Sequence, residues 1–318
     1  MKRFFCLALL CLMLLITCCS KQSPKKVKLL LDWQPNPLHV PIFAGKYSGI
    51  FKKYGINIVI THGKLMPDTI NSLLSKENDI AIYYMPHTIR AATLTDKLKV
   101  VGTFVQCPLN GFLFLESSKI YDLLDFHMKT FYGPTQGLLE KYIKSALTNS
   151  GIKFTNSTNL DCNFIESLLN KTVDVLTGVF WNIEGEQLSS TGAKISYLPY
   201  SIFNVPDYHE LIFISTKDFL KNDKTFVKNF QRAINECIYF SKENPDLSFD
   251  YYIALNSYKS LKDIEWERLS WKKTINLFSL NQNFQRETWD TFHEWMIDNQ
   301  IISKEADLNK LLKYNPQK

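Results

Sequence analysis

The sequence has 318 residues, 45% of them apolar, with only 12 glycines and 12 prolines; that is ample for a sizeable core and excludes a disordered chain. The formal charge of +6 is mild and dispersed, and no basic run is interleaved with aromatics, so a nucleic-acid partner is not indicated.

The N-terminus carries the first signal. Met1-Lys2-Arg3 is a positive start, Phe4 to Ile16 is apolar without a charge, and Thr17-Cys18-Cys19-Ser20 follows, which together read as a secretory leader. Loss of Lys2 and Arg3 with that leader leaves a charge of about +4. The apolar run is short for a membrane span. Leu15-Ile16-Thr17-Cys18 resembles a bacterial lipobox, whose cysteine sulfur becomes a diacylglycerol thioether. Thr17 departs from the usual Gly, Ala or Ser, and placing Cys18 in that small-residue slot makes Cys19 the lipidated residue. Cys18 is the expected anchor and Cys19 the alternative; a cleaved signal peptide with incidental cysteines is the competing reading. Residues 1–18 are then a leader and 19–26 a polar, flexible tether.

From Val27 onward, strand-like and helix-like pieces alternate, the pattern of parallel α/β architecture. Val27 to Trp33 reads as a buried strand, broken by Pro35 and Pro37, and Leu38 to Tyr54 has helical spacing closed by Gly55. Strands are expected at Ile56 to Ile60, Asp79 to Tyr83 and Leu98 to Gln106, with helices at Asp68 to Ser75 and Met85 to Leu94. A second block begins near Cys107. It has strands at Gly111 to Glu116, Lys129 to Tyr132 and Val173 to Gly178, and helices at Gly137 to Thr148 and Asn163 to Lys171. Leu198 to Tyr208 reads as an extended crossing back to a strand at Leu211 to Ser215. Long helical stretches, Lys217 to Asn244 and Ser257 to Leu312, complete the chain; their Trp266, Trp271, Trp289 and Trp295 are expected in the core. Two crossings predict a discontinuous first lobe, 27–106 plus 209–318, and a second lobe, 107–208, with a cleft between them.

Outside the leader, Cys107, Cys162 and Cys237 form an odd, widely spaced set that reads as buried free thiols rather than a disulfide framework or a metal site. The six histidines show no HxH or HExxH spacing, so no metal is expected.

Candidate contacts lie where strands feed loops, the ligand-facing side of an open parallel sheet. Asp32 can accept from an exocyclic amine or protonated ring nitrogen, and Trp33 offers a flat stacking face; alternatively Asp32 caps the next turn and Trp33 is core. His39 and His87 are each equally readable as ligand contacts or satisfied structural histidines. Tyr132-Gly133-Pro134-Thr135-Gln136-Gly137 opens a helix and could present backbone N–H groups to an anion or carbonyl, which makes Thr135 a candidate, while Tyr83 or Tyr132 could stack on a flat ring beside Trp33 and Trp181; an ordinary strand-to-helix turn is the plainer reading of the loop. Trp181, Asn182 and Glu184 follow the strand ending at Gly178 and could supply an indole, an amide and a carboxylate from the second lobe. Glu184 also suits the first turn of a helix.

The stretch from Leu31 through Asp32-Trp33-Gln34-Pro35-Asn36-Pro37-Leu38-His39 to Ala44, with Tyr47 to Phe51, Tyr54-Gly55-Ile56, Asp79 to Ile82 and Met85-Pro86-His87-Thr88, resembles one particular family. It joins fungal hydroxymethylpyrimidine phosphate synthases to bacterial formylaminopyrimidine-binding proteins. Phe180 to Gly185 resembles the Trp-Asn-x-Glu segment of the bacterial members. The resemblance implies a type II periplasmic-binding-protein fold, α/β with two lobes and a ligand cleft between them. In the fungal enzymes a lysine near the third strand holds pyridoxal phosphate and a histidine four residues on is consumed; here those positions are Tyr83 and His87. Without an amine no Schiff base forms. The enzymes' late cysteine cluster is also missing from Ser201 to His209. A binding protein without a cofactor is therefore expected. It would be a monomeric lipoprotein that captures a thiamin-related pyrimidine and delivers it to an ABC permease and ATPase. A pyrimidine-processing enzyme, a binder of riboflavin or an aromatic sulfonate, and an adhesive or signalling lipoprotein are the alternatives.

Overall fold

The computed structural model describes residues 23–63, 68–133, 137–156, 164–221, 223, 225–257 and 259–316. The leader cysteines Cys18 and Cys19, Cys162, and Thr135 lie outside them.

Among the described residues, ten strands form two five-stranded sheets. They are β1 (Lys25–Leu30), β2 (Ile56–Thr61), β3 (Ile80–Tyr83), β4 (Leu98–Val105), β5 (Asn110–Leu115), β6 (Thr130–Tyr132), β7 (Thr155–Asn156), β8 (Val175–Phe180), β9 (Ile195–Pro199) and β10 (Leu211–Thr216). One sheet has the order β2-β1-β3-β10-β4 and the other β7-β6-β8-β5-β9. In the first, β1, β2 and β3 run parallel, with Leu29 opposite Ile80, while β10 returns antiparallel between β3 and β4. β4, β5 and β10 are buried along their whole length, as sheets covered on both faces require. β1 starts at Lys25, inside the expected tether, and the Lys25 ammonium lies 4.1 Å from the Phe219 ring centroid.

The chain passes between the sheets twice, from Val105 to Asn110 and from Pro199 to Leu211. Glu210 ties these crossovers together: its buried carboxylate accepts from Leu109 N at 2.7 Å, Asn110 N at 3.1 Å and Asn110 Nδ2 at 2.8 Å.

The helices in chain order are α1 (Val40–Tyr47), α2 (Ile50–Lys53), α3 (Thr69–Leu74), α4 (Met85–Ala92), α5 (Leu138–Asn149), α6 (Phe164–Leu169), α7 (Glu184–Ser189), α8 (Lys217–Leu220), α9 (Phe226–Glu243), α10 (Pro245–Ala254), α11 (Leu261–Thr274), α12 (Arg286–Asp298) and α13 (Leu308–Leu311). The helix expected from Leu38 to Tyr54 is instead a 3-10 turn plus α1 and α2, because Gly49 adopts φ +80, a left-handed conformation that ends α1. The stretch Lys217 to Asn244 splits into α8 and α9, and Ser257 to Leu312 into α11, α12 and α13. Leu198 to Tyr208 is not one extended passage: β9 ends at Pro199 and Tyr200–Phe203 turns as a 3-10 helix.

α9 buries Phe226, Val227, Phe230, Ala233, Ile234, Cys237 and Ile238 at helical spacing and packs beside α1. Trp266, Trp271 and Trp289 are core residues, as the sequence predicts. Cys107 is exposed, contrary to expectation, because it lies on a crossover outside either sheet; Cys237 is buried. The C-terminal segment reaches the second sheet's helices, where Asn299 Oδ1 accepts from Ser145 Oγ at 3.1 Å and Asn149 Nδ2 at 2.7 Å. Among the described residues no helix is long and apolar enough to cross a membrane.

Candidate ligand-binding site

The ends of β1, β3 and β8 converge. Asp32 follows β1 and is 2% exposed, so its carboxylate requires partners. Tyr84, the residue after β3, donates its hydroxyl to Asp32 Oδ2 at 2.9 Å, and His39 Nε2 lies 2.8 Å from Oδ1. His39 Nδ1 accepts from Asn36 N at 3.1 Å, so the ring proton sits on Nε2 and is donated to Asp32. Asn36 in turn caps the Pro37–His39 turn by accepting from Leu38 N at 2.9 Å. His39 is completely buried, with both ring nitrogens engaged within the chain.

Tyr83, Tyr84 and His87 build an aromatic wall beside that carboxylate. The His87 ring lies 5.7 Å from Tyr83 and 5.4 Å from Tyr84, and Tyr84 meets Phe180 of the other sheet edge-to-face at 6.5 Å. His87 Nδ1 is buried with no hydrogen-bond partner among the described residues. Burial, with Arg90 nearby, lowers its pKa to about 4, so the ring is neutral near pH 7. Desolvation, with a smaller contribution from Asp68, pushes the Tyr83 phenol up to about 12, leaving it a hydrogen-bonding hydroxyl.

Across the cleft, Trp181 is half-buried, its backbone N–H bonds Leu109 O at 3.2 Å, and its ring lies 6.2 Å from Tyr197. Trp33 is 42% exposed. Among the described residues no ring contact joins the two indoles. Asn182 is fully buried and points its Nδ2 at Thr274 Oγ1, 2.8 Å away, so that donor is engaged by α11, while its Oδ1 has no hydrogen-bond partner among the described residues. Glu184 Oε2 accepts from Phe180 N at 2.6 Å and closes the turn into α7; desolvation raises its pKa to about 7, offset in part by that bond. Tyr132 is half-buried at the end of β6. The adjacent Gly133 has a steric rationale independent of any anion: a Cβ there would lie 2.4 Å from Thr177 Cγ2.

The arrangement thus gathers Asp32, His39, Tyr83 and His87 around Tyr84, while Asn182 and Glu184 brace their own loop. Tyr84 and Phe180 were missed at the sequence level. Each neighbours a selected residue, and Tyr83-Tyr84 at a strand end carried the signal. No group of three or more His, Cys, Asp or Glu able to hold a metal occurs among the described residues.

The NMT1/THI5 like family model matches residues 36–248, which takes in β2 to β10, His39, Tyr83, Tyr84, His87 and the loop after β8, while Asp32 and Trp33 precede the matched stretch. The chain belongs to the NMT1/THI5-like family. It is 23% identical to a formylaminopyrimidine-binding protein of Halalkalibacterium halodurans, covering 96% of this chain and 98% of the relative. It is also 23% identical to a 4-amino-5-hydroxymethyl-2-methylpyrimidine phosphate synthase of Saccharomyces cerevisiae, covering 84% of this chain and 82% of the relative. Among solved structures, the periplasmic aliphatic sulphonate binding protein of Escherichia coli superposes with a TM-score of 0.66 at 13% identity, covering 91% of this chain and 98% of that one. A Candida albicans protein of generic periplasmic-binding fold gives 0.64 at 16% identity, covering 92% and 98%. The fold is therefore that of the two-lobed periplasmic binding proteins, as the sequence motifs imply.

Proposed function

We propose that the protein is the solute-binding component of an ABC importer, exported, held to a bacterial membrane by lipid on Cys18 or Cys19, and selective for a thiamin-related aminopyrimidine. The observation that carries this reading is the buried Asp32 carboxylate, oriented by His39 and Tyr84, beside an aromatic wall to which both sheets contribute. A carboxylate accepts from an exocyclic amine or protonated ring nitrogen, worth about 1.5 to 3 kcal/mol, and aromatic faces add about 0.5 to 1.5 kcal/mol each to a stacked ring. Trp33 and Trp181 are the additional stacking surfaces in this reading. The unpartnered His87 Nδ1 takes a ligand N–H or O–H. Closure of the two lobes would bury the solute and present a surface for the permease to recognise.

The formylaminopyrimidine named in the Halalkalibacterium relative's description supports this solute class. The yeast relatives named as synthases motivate an enzymatic alternative. Tyr83 at the register of the synthases' lysine weighs against it, since a phenol cannot form an imine. The test is native capture: protein expressed in a bacterium, purified without added ligand and then denatured, should release an aminopyrimidine detectable by mass spectrometry. Release of a flavin or a sulfonate instead would replace the solute assignment.

A further inference from the structure

A buried polar stripe runs along α11. Glu267, Ser270 and Thr274 share one helix face at spacings of three and four, and are 2%, 0% and 0% exposed. Buried polar groups need partners, and those of this stripe lead to the two loops that carry the candidate site. Glu267 Oε1 pairs with Lys259 Nζ at 2.5 Å, and the same ammonium donates to Pro35 O at 3.0 Å, in the loop between Asp32 and His39. Glu267 Oε2 accepts from Tyr252 OH at 3.1 Å. One turn on, Ser270 Oγ donates to the Asn182 carbonyl, and Thr274 Oγ1 accepts from Asn182 Nδ2 at 2.8 Å. Lys273, on the neighbouring face, pairs with Glu186 of α7. A single helix therefore grips the loop after β1 and the loop after β8, which belong to different sheets.

Resting on the binding reading above, we infer that Ser270 and Thr274 are positioning residues of the ligand site: through Asn182 they hold Trp181 in register with the Asp32 loop before any solute enters. The backbone on the N-terminal side of Trp181 is already held, by Leu109 O at its own N–H and by Glu184 at Phe180 N. The Asn182 bonds complete the restraint. Asn182 is fully buried and spends its Nδ2 on Thr274, so that bond acts on the ligand through Trp181, while its Oδ1 has no hydrogen-bond partner among the described residues. If the loop loses its anchor, only a fraction of molecules presents the competent site, and apparent affinity falls by that fraction.

The test uses Thr274→Val, nearly isosteric but without the acceptor, and Thr274→Ser, which keeps it. Thr274→Val should bind formylaminopyrimidine about tenfold more weakly than wild type, and Thr274→Ser within about twofold of it. In ligand-free protein, acrylamide should quench Trp181 more strongly in Thr274→Val, read as the difference against Trp181→Phe in each background. A purely structural hydroxyl would shift the unfolding midpoint while leaving affinity and Trp181 quenching unchanged, and that result overturns the inference. If wild type binds no formylaminopyrimidine, the solute reading fails and the quenching comparison alone decides: increased quenching sustains the anchoring, unchanged quenching removes it. Should Thr274→Val fail to fold, Ser270→Ala, which loses the donor to the Asn182 carbonyl, carries the same two measurements.

Discussion

Tyr84 and Asp32 stand 52 positions apart in the chain yet meet through a 2.9 Å hydrogen bond across the ends of β3 and β1. The bond fixes one carboxylate oxygen, and His39 fixes the other. Loss of a hydrogen bond to a buried charged group costs about 1.5 to 3 kcal/mol, so Tyr84→Phe should lower the free energy of unfolding by that amount in urea. It should also weaken aminopyrimidine binding, because the carboxylate loses its orientation. An unchanged urea midpoint would show that the bond contributes nothing in solution.

His39 and His87 should behave oppositely. His39 is fully buried and bonded at both ring nitrogens, so His39→Ala leaves Asp32 Oδ1 without its donor, with only Tyr84 still holding the carboxylate, and opens a cavity; it should cost about 2 to 5 kcal/mol of stability. His87 has an orphan Nδ1, and His87→Leu should change stability by less than about 1 kcal/mol while weakening ligand binding. Thermal unfolding and calorimetric titration of both variants separate the roles. Equal destabilisation in the two would contradict the division.

Acid should expose a histidine contribution with a definite sign. Burial lowers His209 to about 4 from the ordinary 6.5, despite its bond to Gln285. Between pH 6.5 and pH 4 the unfolded chain takes up a proton that the folded chain refuses; this contribution is whole above 6.5 and is lost as pH falls. Glu184 and Glu210, raised by burial to about 7, work the other way: their contribution is greatest below about 4.5 and is lost as pH rises through 7. Subtracting a His209→Gln unfolding series from the wild-type series isolates the histidine. The wild-type advantage should shrink by about 3 kcal/mol between pH 7 and pH 4. A pH-independent difference would contradict the burial.

Gly45 marks a close approach of α1 to α9. A Cβ there would lie 2.0 Å from Cys237 Sγ. Gly45→Ala should therefore destabilise by about 1 to 3 kcal/mol, and Cys237→Ala in the same chain should recover part of that loss. Additive costs in chemical denaturation would show that the helices do not pack this closely.

Strands were legible in the sequence wherever they are buried, as in β4 and β10, because continuous apolar runs between polar turns leave few alternatives. The Asp32 loop was legible because Pro35, Asn36 and Pro37 interrupt the pattern beside a carboxylate and an indole. The break at Gly49 was hidden, since apolar spacing continues through Ile50 and Phe51 and only the backbone angle shows the stop. The partners of Asn182 were equally hidden: Thr274 lies 92 positions away and has no local signature. Periodicity reports which face is buried; it does not report which buried polar group will meet which.

The most direct measurement is calorimetric titration of the purified mature chain with formylaminopyrimidine, in wild type, Asp32→Asn and Trp181→Ala. Micromolar or tighter binding, about −8 kcal/mol or more favourable, is expected for wild type, with at least a tenfold loss in each variant. No heat of binding in the wild type, or the same affinity in all three proteins, would contradict capture of a flat aminopyrimidine at this site.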